Sequence, residues 1–475
     1  MRLLLVNPRN SMVNINNSKN YWNRYRVWKP LGLLVLAGLT PPGWDITVVD
    51  ENVSVPEYSG MPRPDLVGVT AFTSQAPRAY ELAAMFRARG VPVVMGGIHA
   101  TMRRDEALEF VDAVVTGEAE SVWAQVLEDA ARGALRPVYA GGHAEMDKTP
   151  HARHDLLPDG YQFGVIQTTR GCPLNCSFCS VSPFNGNRYR RRSNEDVVSE
   201  FGSISEKHVL VVDDNLIGTR PDHVERAKDL FRAMIEADLG KKWICQATIN
   251  MADDDELLRL ARKAGCIGAF IGFESTSDKG LAEVGKKYNL KNKRDFRASV
   301  RRIQRHGISV AGSFIMGLDV DRPGIGLEIA ETADRYDVDF LNVLILTPLP
   351  GTALWKKMED EGRIASDRFP EDWKYYTLTL PVARYRHLGN YEIIDELSSC
   401  TGRFYSLRGI VRRVGRNLLK RQHPFLVMVG NLSYRRNGRL GRKIYGEFKR
   451  ACTQLRPVIR MPATGENLHV KSGIR

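Results

Sequence analysis

Two successive series of short apolar runs, each alternating with segments of helical period, constrain the fold of this chain more than any other feature. In the first 120 or so residues the runs are LLLVN at 3–7, then DITVVD, DLVGVT, VPVVMGG and AVVTGE. Between them, Ala79, Leu82, Ala83 and Phe86 of the stretch Arg78 to Arg89 recur on one helical face. Strands alternating with helices predict an α/β, doubly wound, Rossmann-like domain with a parallel sheet, whose ligands sit at the carboxyl ends of the strands. The second series runs FGVIQTT, HVLVVDD, WICQATI, GAFIGFE, SVAGSFIMG and FLNVLIL. Six such units in about 200 residues predict a partial or full parallel barrel with its site at the carboxyl-terminal mouth. Gly and Pro punctuate residues from about 125 to 160, where a linker is expected, and beyond Gly362 the sequence turns aromatic, charged and helical.

A length of 475 residues exceeds what one hydrophobic core organises, and 43% apolar with 26% charged residues is globular composition. Seven cysteines form one tight group plus Cys245, Cys266, Cys400 and Cys452. Without the spacing of a disulfide framework they point to a reducing, cytoplasmic setting. Residues 1–9 lack the apolar core of a signal peptide, and the apolar stretch Leu31 to Leu39 is too short to span a bilayer. The net charge of +13 is concentrated in residues 401–460, where sixteen Lys and Arg face the single acid Glu447. Such a stretch suits anionic lipid, nucleic acid or an acidic partner, and suits a solvated helical face equally. Within it HPFLVMVG at 423–430, flanked by basic runs containing Arg435, Arg436, Arg439 and Arg442, reads as a peripheral membrane contact or as a buried helix bordered by charges. Charge alone does not separate RNA phosphates from lipid phosphates.

The chemistry is concentrated in TTRGCPLNCSFCS, residues 168–180, where Cys172, Cys176 and Cys179 follow the first barrel strand. Thiolates are the soft ligands that iron-sulfur clusters need, and three on one loop leave a fourth iron without a protein ligand. A structural zinc site normally takes four ligands, and no fourth Cys or His lies nearby. A buried, unliganded thiol cluster and a four-cysteine electron-transfer cluster are the other readings.

This loop, with Phe178 before its last cysteine, resembles the motif of the radical S-adenosylmethionine (SAM) superfamily. The resemblance implies a 4Fe-4S cluster on Cys172, Cys176 and Cys179 whose open iron binds SAM, cleaved by one electron to a deoxyadenosyl radical. It implies an electron donor such as flavodoxin or ferredoxin. It places SAM contacts at Asp213 and Asp214, which end the second barrel strand and suit the methionine amine, and at Glu274 in IGFES, which suits the ribose or the amino acid. Gly312 and Gly317, bounding GSFIMG, resemble the segment whose backbone meets adenine. Arg190 in YRRRS is a carboxylate or cluster-loop contact on the same grounds. Each has an ordinary structural alternative: an Asx-turn, a helix cap, a packing glycine or a surface arginine.

The order of the two series resembles the cobalamin-binding branch of that superfamily, which includes hopanoid methylase and the anaerobic magnesium-protoporphyrin ester cyclase. The resemblance rests on KPLGLLVLAGL at 29–39, GGIHAT at 96–101, TGEAES at 116–121 and TPLPGTALW after the sixth barrel strand. It implies a cobalamin-binding domain at 1–140, a linker at 141–160, a radical SAM barrel at 161–362 and a basic, mainly helical region at 363–475. Cobalamin contacts are then expected at Asn7, Thr70, Ser74, Gly96, Gly97, His99, Thr101, Gly117 and Glu118, at the strand ends of the first domain. An Asp-x-His-x-x-Gly motif is absent from the sequence, so either cobalamin binds without a histidine below the cobalt or the domain is vestigial or non-methylating. The implied activity is methyl transfer to an unactivated carbon of a small-molecule or lipid-like substrate. Competing readings are radical cyclisation, oxidation or transfer of another SAM fragment, and a non-catalytic iron-sulfur binding protein.

Overall fold

The first series of apolar runs forms strands β1 (Arg2–Asn7), β2 (Asp45–Asp50), β3 (Leu66–Thr70), β4 (Val93–Gly96) and β5 (Ala113–Thr116). They belong to a computed structural model that describes residues 1–12, 29–157, 160–290, 294–419 and 423–453. A sixth strand, β6 (Val138–Ala140), and the helix Trp123–Ala131 complete the first domain from a stretch with few long apolar runs. The sheet is parallel throughout, in the order β2-β1-β3-β4-β5-β6. The order reverses at β1 and β3, so connections leave their carboxyl ends in opposite directions and open a crevice there. Leu3 and Leu5 of β1 pack into one apolar cluster while Leu4 and Val6 pack into another. Both faces are covered, which is why these strands read as continuous apolar runs rather than as alternating ones.

The second series gives β7 (Gly164–Ile166), β10 (His208–Val211), β11 (Lys242–Ala247), β12 (Cys266–Glu274), β13 (Ser309–Met316) and β14 (Phe340–Ile345). They pair in parallel and in chain order, from β7 to β14. Strands β7 and β14 are the two edges, so the sheet is a partial barrel. A small antiparallel ribbon of β8 (Thr169–Arg170) and β9 (Arg190–Arg191) brackets the cysteine loop.

The C-terminal region is helical: Asn390–Phe404, Leu407–Leu419 and Pro424–Thr453. Glu396 of the first of these accepts the N–H groups of Gly324 (2.6 Å) and Gly326 (2.7 Å), meeting unpaired donors at the start of the barrel helix Ile325–Arg335. No helix of the described residues is long and apolar enough to cross a membrane. The cap also reaches the first domain, where Trp373 donates to Glu106 (2.8 Å) while stacking on Phe369.

Candidate active site

The cysteine loop begins where a side chain cannot stand. Gly171 has φ +87°, and a Cβ there would lie 2.3 Å from the Arg188 carbonyl oxygen. From this turn the loop is strapped to the barrel mouth: Ser177 donates its N–H to Val284 (3.1 Å), and Leu354 donates to Ser177 (2.8 Å). Asp214, just past β10, accepts the Gly171 N–H (2.9 Å) and the Asn185 amide (3.0 Å). Burial pushes all three thiols up, Cys176 to about 11 and Cys179 to about 12. Proximity of the sulfurs to one another adds to the shift at Cys176 and Cys179. Thiolates in such a place need a compensating positive group, and ligation to iron supplies one.

Among the described residues no three His, Cys, Asp or Glu converge tightly enough to hold a single metal ion. Cys172, Cys176 and Cys179, three soft donors on one loop and near enough for the first two to raise the third, fit an iron-sulfur cluster. Cys245, Cys266 and Cys400 are buried thiols elsewhere, and the side chain of Cys452 lies outside the described residues.

Beside the loop stands an ion pair with no counterpart in the sequence-based expectations. Lys286 donates to Glu274 Oε1 at 2.9 Å, each side chain only 9% exposed. Burial would lower the Lys286 ammonium, but Glu274 and the thiols of Cys176 and Cys172 outweigh it and hold the group above its ordinary value. Glu274 itself has φ +69° at a register irregularity in β12, where the strand releases the residue toward the mouth. A lysine twelve positions after Glu274 carries no spacing signal; only the turn of the chain through Asp278–Glu283 brings it back.

Three of the expected SAM contacts have local packing partners in the structure. Asp213 is fully buried and accepts from the Thr168 N–H and hydroxyl (both 2.6 Å) and the Thr169 hydroxyl (2.7 Å), bracing β7 against β10. A Cβ on Gly312 would meet Phe273 and Val338 at 3.0 Å, so this glycine admits the aromatic layer under the helices. Gly317, at φ +100°, turns the chain out of β13 where Tyr385 and Ile393 of the cap would crowd a side chain at 2.8 Å.

A cavity of about 560 Å³ lies between the two sheets. Asn7, Thr70, Gly96, Gly97, Gly117 and Glu118 line it from the first sheet, with Pro30 to Leu33, Val35 and Leu36; Gln167, Arg170, Phe184 and Asn185 line it from the barrel side. Arg170 and Asn185 flank the cysteine loop on either side, so the two ends of that loop reach the cavity. Gly97 has φ +88°, and a Cβ on it would sit 2.6 Å from the Thr70 hydroxyl.

Ser74, Thr101 and His99 do not line this cavity. Ser74 offers its carbonyl to Asn10, and Thr101 braces two wall glycines, donating to Gly97 (2.9 Å) and accepting the Gly117 N–H (3.0 Å). His99 is wholly buried, with Nε2 3.0 Å from the Tyr80 hydroxyl and its ring edge-on to Trp373. Burial pulls its pKa down. Walls that, among the described residues, are largely apolar and glycine-rich fit a broad cofactor.

Glu118 faces this cavity but is already engaged: Arg170 and Arg190 each donate to its Oε2 at 2.9 Å, and Arg190 also pairs with Oε1. Although burial alone would raise the carboxyl, Arg190 and Arg170 hold it below its ordinary value. Arg190, expected as a carboxylate or cluster-loop contact, binds the Glu118 carboxylate and the Asn185 carbonyl, and so clasps the first domain to the base of the cysteine loop.

Residues 166–324 match the Radical SAM superfamily and residues 22–127 the B12 binding domain. A bacteriochlorophyllide d C-8(2)-methyltransferase of Chlorobaculum tepidum is 30% identical over 372 residues, 73% of this chain and 80% of that protein. The chain belongs to the cobalamin-binding radical SAM family. The hopanoid C-2 methylase of Rhodopseudomonas palustris is 28% identical, the match spanning 71% of this chain and 66% of that one. The fold is shared with the cobalamin-dependent radical enzyme OxsB (TM-score 0.65, 15% identity, 95% of this chain and 75% of that one). It is shared also with the methyltransferase TsrM of Kitasatospora setae (TM-score 0.60, 19% identity, 77% and 76%). As a member of this family the chain is an enzyme that uses a 4Fe-4S cluster, SAM and cobalamin.

Proposed function

We propose that this radical SAM enzyme transfers a methyl group to an unactivated carbon of a small-molecule or lipid-like acceptor. The observation that carries the reading is the cavity between the sheets, walled on one side by the B12-binding domain and on the other by residues flanking the cysteine loop. When bound, the cofactors supply one-electron cleavage of SAM, a radical that removes hydrogen from the acceptor, and a methyl group to replace it.

In this reading Cys172, Cys176 and Cys179 hold the cluster, and Asp214 keeps the turn at Gly171 in place through its N–H. Glu274, fixed by Lys286, presents its second oxygen to the SAM hydroxyl or amine groups. The Glu118–Arg170–Arg190 clasp keeps the two ligand-bearing ends in register, since a radical must meet its acceptor at contact distance. Relatives named for a hopanoid and a bacteriochlorophyllide support a small-molecule or lipid-like acceptor. A flavodoxin- or ferredoxin-type donor supplies the electron.

Anaerobic purification with cobalamin present, followed by iron, sulfide and cobalt analysis, tests the assignment. On adding reductant and SAM, both deoxyadenosine and S-adenosylhomocysteine are expected. Deoxyadenosine without S-adenosylhomocysteine across acceptor candidates would replace methyl transfer by cyclisation or oxidation. An intact cluster that cleaves no SAM would remove the radical reading.

A further inference from the structure

Seven of the eleven large hydrophobic residues exposed among the described residues lie within one short stretch: Leu407, Val411, Leu418, Leu419, Phe425, Met428 and Leu432. Scattered singly they would need no explanation; concentrated on one helical hairpin, at 36% to 87% exposure, they form a patch. Arg413 Nε donates to Asn431 at 3.0 Å and Arg435 donates to the Tyr405 carbonyl at 2.8 Å, so Leu407–Leu419 and Pro424–Thr453 run antiparallel in a known register. That register sets Val411 level with Leu432 and Leu418 level with Phe425. The outward apolar side chains of the two helices thus form one continuous strip.

The inward face is a different surface. Arg413, Asn417 and Asn431 are buried, and the latter two, with Arg416, gather around Asp339 at the start of β14. Arg403, Arg412 and Arg413 pair with Asp334, Arg416 with Asp337, and Lys449 with Asp395. HPFLVMVG is accordingly split: Val427 is buried against the barrel, while Phe425 and Met428 stand outside. Even with these pairs the segment keeps a large positive surplus, because sixteen basic residues in 401–460 share the single acid Glu447.

We propose that this strip docks the enzyme on an anionic lipid bilayer. An amphipathic helix with an apolar outer face and basic flanks lies in the headgroup region, where buried side chains and attraction to acidic lipid act together. A nucleic acid would use the charge but has no use for Leu, Val and Phe standing in water. The strip sits at the amino end of β14, away from the cysteine loop, so it is an anchor rather than an entrance to the site. Docking goes beyond the methyl transfer proposed above and rests on it only in purpose, since a lipid-like acceptor would be found at such a surface.

Co-sedimentation of the full-length holoenzyme with phosphatidylcholine vesicles, with and without phosphatidylglycerol, tests this. Binding is expected only with phosphatidylglycerol and is expected to weaken as salt rises. Replacing Val411, Leu418, Phe425 and Leu432 together by serine should weaken it at least about tenfold, given the apolar area lost. These side chains are exposed, so circular dichroism and deoxyadenosine formation should be unchanged; that second readout separates failure of docking from failure of the radical chemistry. Equal sedimentation with and without phosphatidylglycerol, or unchanged binding by the serine variant, would overturn the docking. So would a dimer in sedimentation velocity that the same substitutions dissolve, which would give the strip to a second copy of the chain. Binding of an RNA oligomer without vesicle binding would give it to nucleic acid. Of the arginines flagged in the sequence, Arg435 is engaged with Tyr405, and the side chains of Arg439 and Arg442 lie outside the described residues.

Discussion

At the carboxyl ends of the first sheet the walls are mostly glycine backbone and aliphatic side chains, with Asn7, Thr70 and an already paired Glu118 among them, whereas at the ends of the barrel strands they are thiols, carboxylates and a buried ammonium. The first end can be complete before anything binds, because Gly97 and Gly117 cost nothing electrostatically when empty. At the second, burial keeps the thiols of Cys172, Cys176 and Cys179 protonated, and only a positive partner makes their thiolates favourable. Shape prepares one site and charge the other, and the Glu118 clasp couples them without mixing the two means.

The largest expected effect would break the pair apart. In Cys176→Ala, iron and sulfide should fall to background and deoxyadenosine formation should vanish, while cobalt content stays near that of the parent. Loss of cobalt together with iron would show that the two ends are one site. Next, Lys286→Met leaves Glu274 buried without its partner and should cost about 3–5 kcal/mol in denaturant unfolding. Adding Glu274→Gln should recover much of that loss, and failure to recover would mean that Lys286 acts through packing rather than charge.

A third effect is a pH dependence at the barrel end. Burial pushes the Asp321 carboxyl up to about 7, against the N–H groups of Gly317 and Leu318 that it accepts. The unfolded chain loses this proton near pH 4 while the folded chain keeps it to about 7, so stability falls as pH rises through that window and levels above it. Asp321→Asn should flatten this slope, worth a few kcal/mol at most by linkage, in thermal melts taken across the window. The smallest expected effect belongs to the shape-built end: Gly97→Ala, strained at φ +88° and pressed on Thr70, should weaken cobalamin binding about tenfold at unchanged iron content, from roughly 1–3 kcal/mol of strain. Unchanged cobalamin affinity, read by absorbance titration, would remove Gly97 from the cradle.

Local pattern exposed much of this molecule. Runs such as LLLVN and SVAGSFIMG read as strands because both faces of each sheet are covered, and β6 escaped notice because three residues, VYA, make no run. The loop at 168–180 announced itself because cluster ligands must be close in sequence to share one short loop. Asp213 and His99 read as ligand contacts because they stand at strand ends, and sequence does not tell on which side of the strand end a side chain turns. Thr168 and Thr169 took the first, and Tyr80 with Trp373 took the second.

What the sequence by itself determined is the succession of two parallel α/β units, the cysteine loop after the first barrel strand and the concentration of positive charge near the C-terminus. Those are properties of neighbours along the chain: apolar period, ligand spacing and composition. Only the tertiary structure decided that Lys286 meets Glu274, that Arg170 and Arg190 close on Glu118, and that the basic hairpin turns its polar side to Asp339 and its leucines to water. Each of these joins groups on different elements, whose meeting depends on how the sheets and helices pack, a quantity that no local window of residues contains.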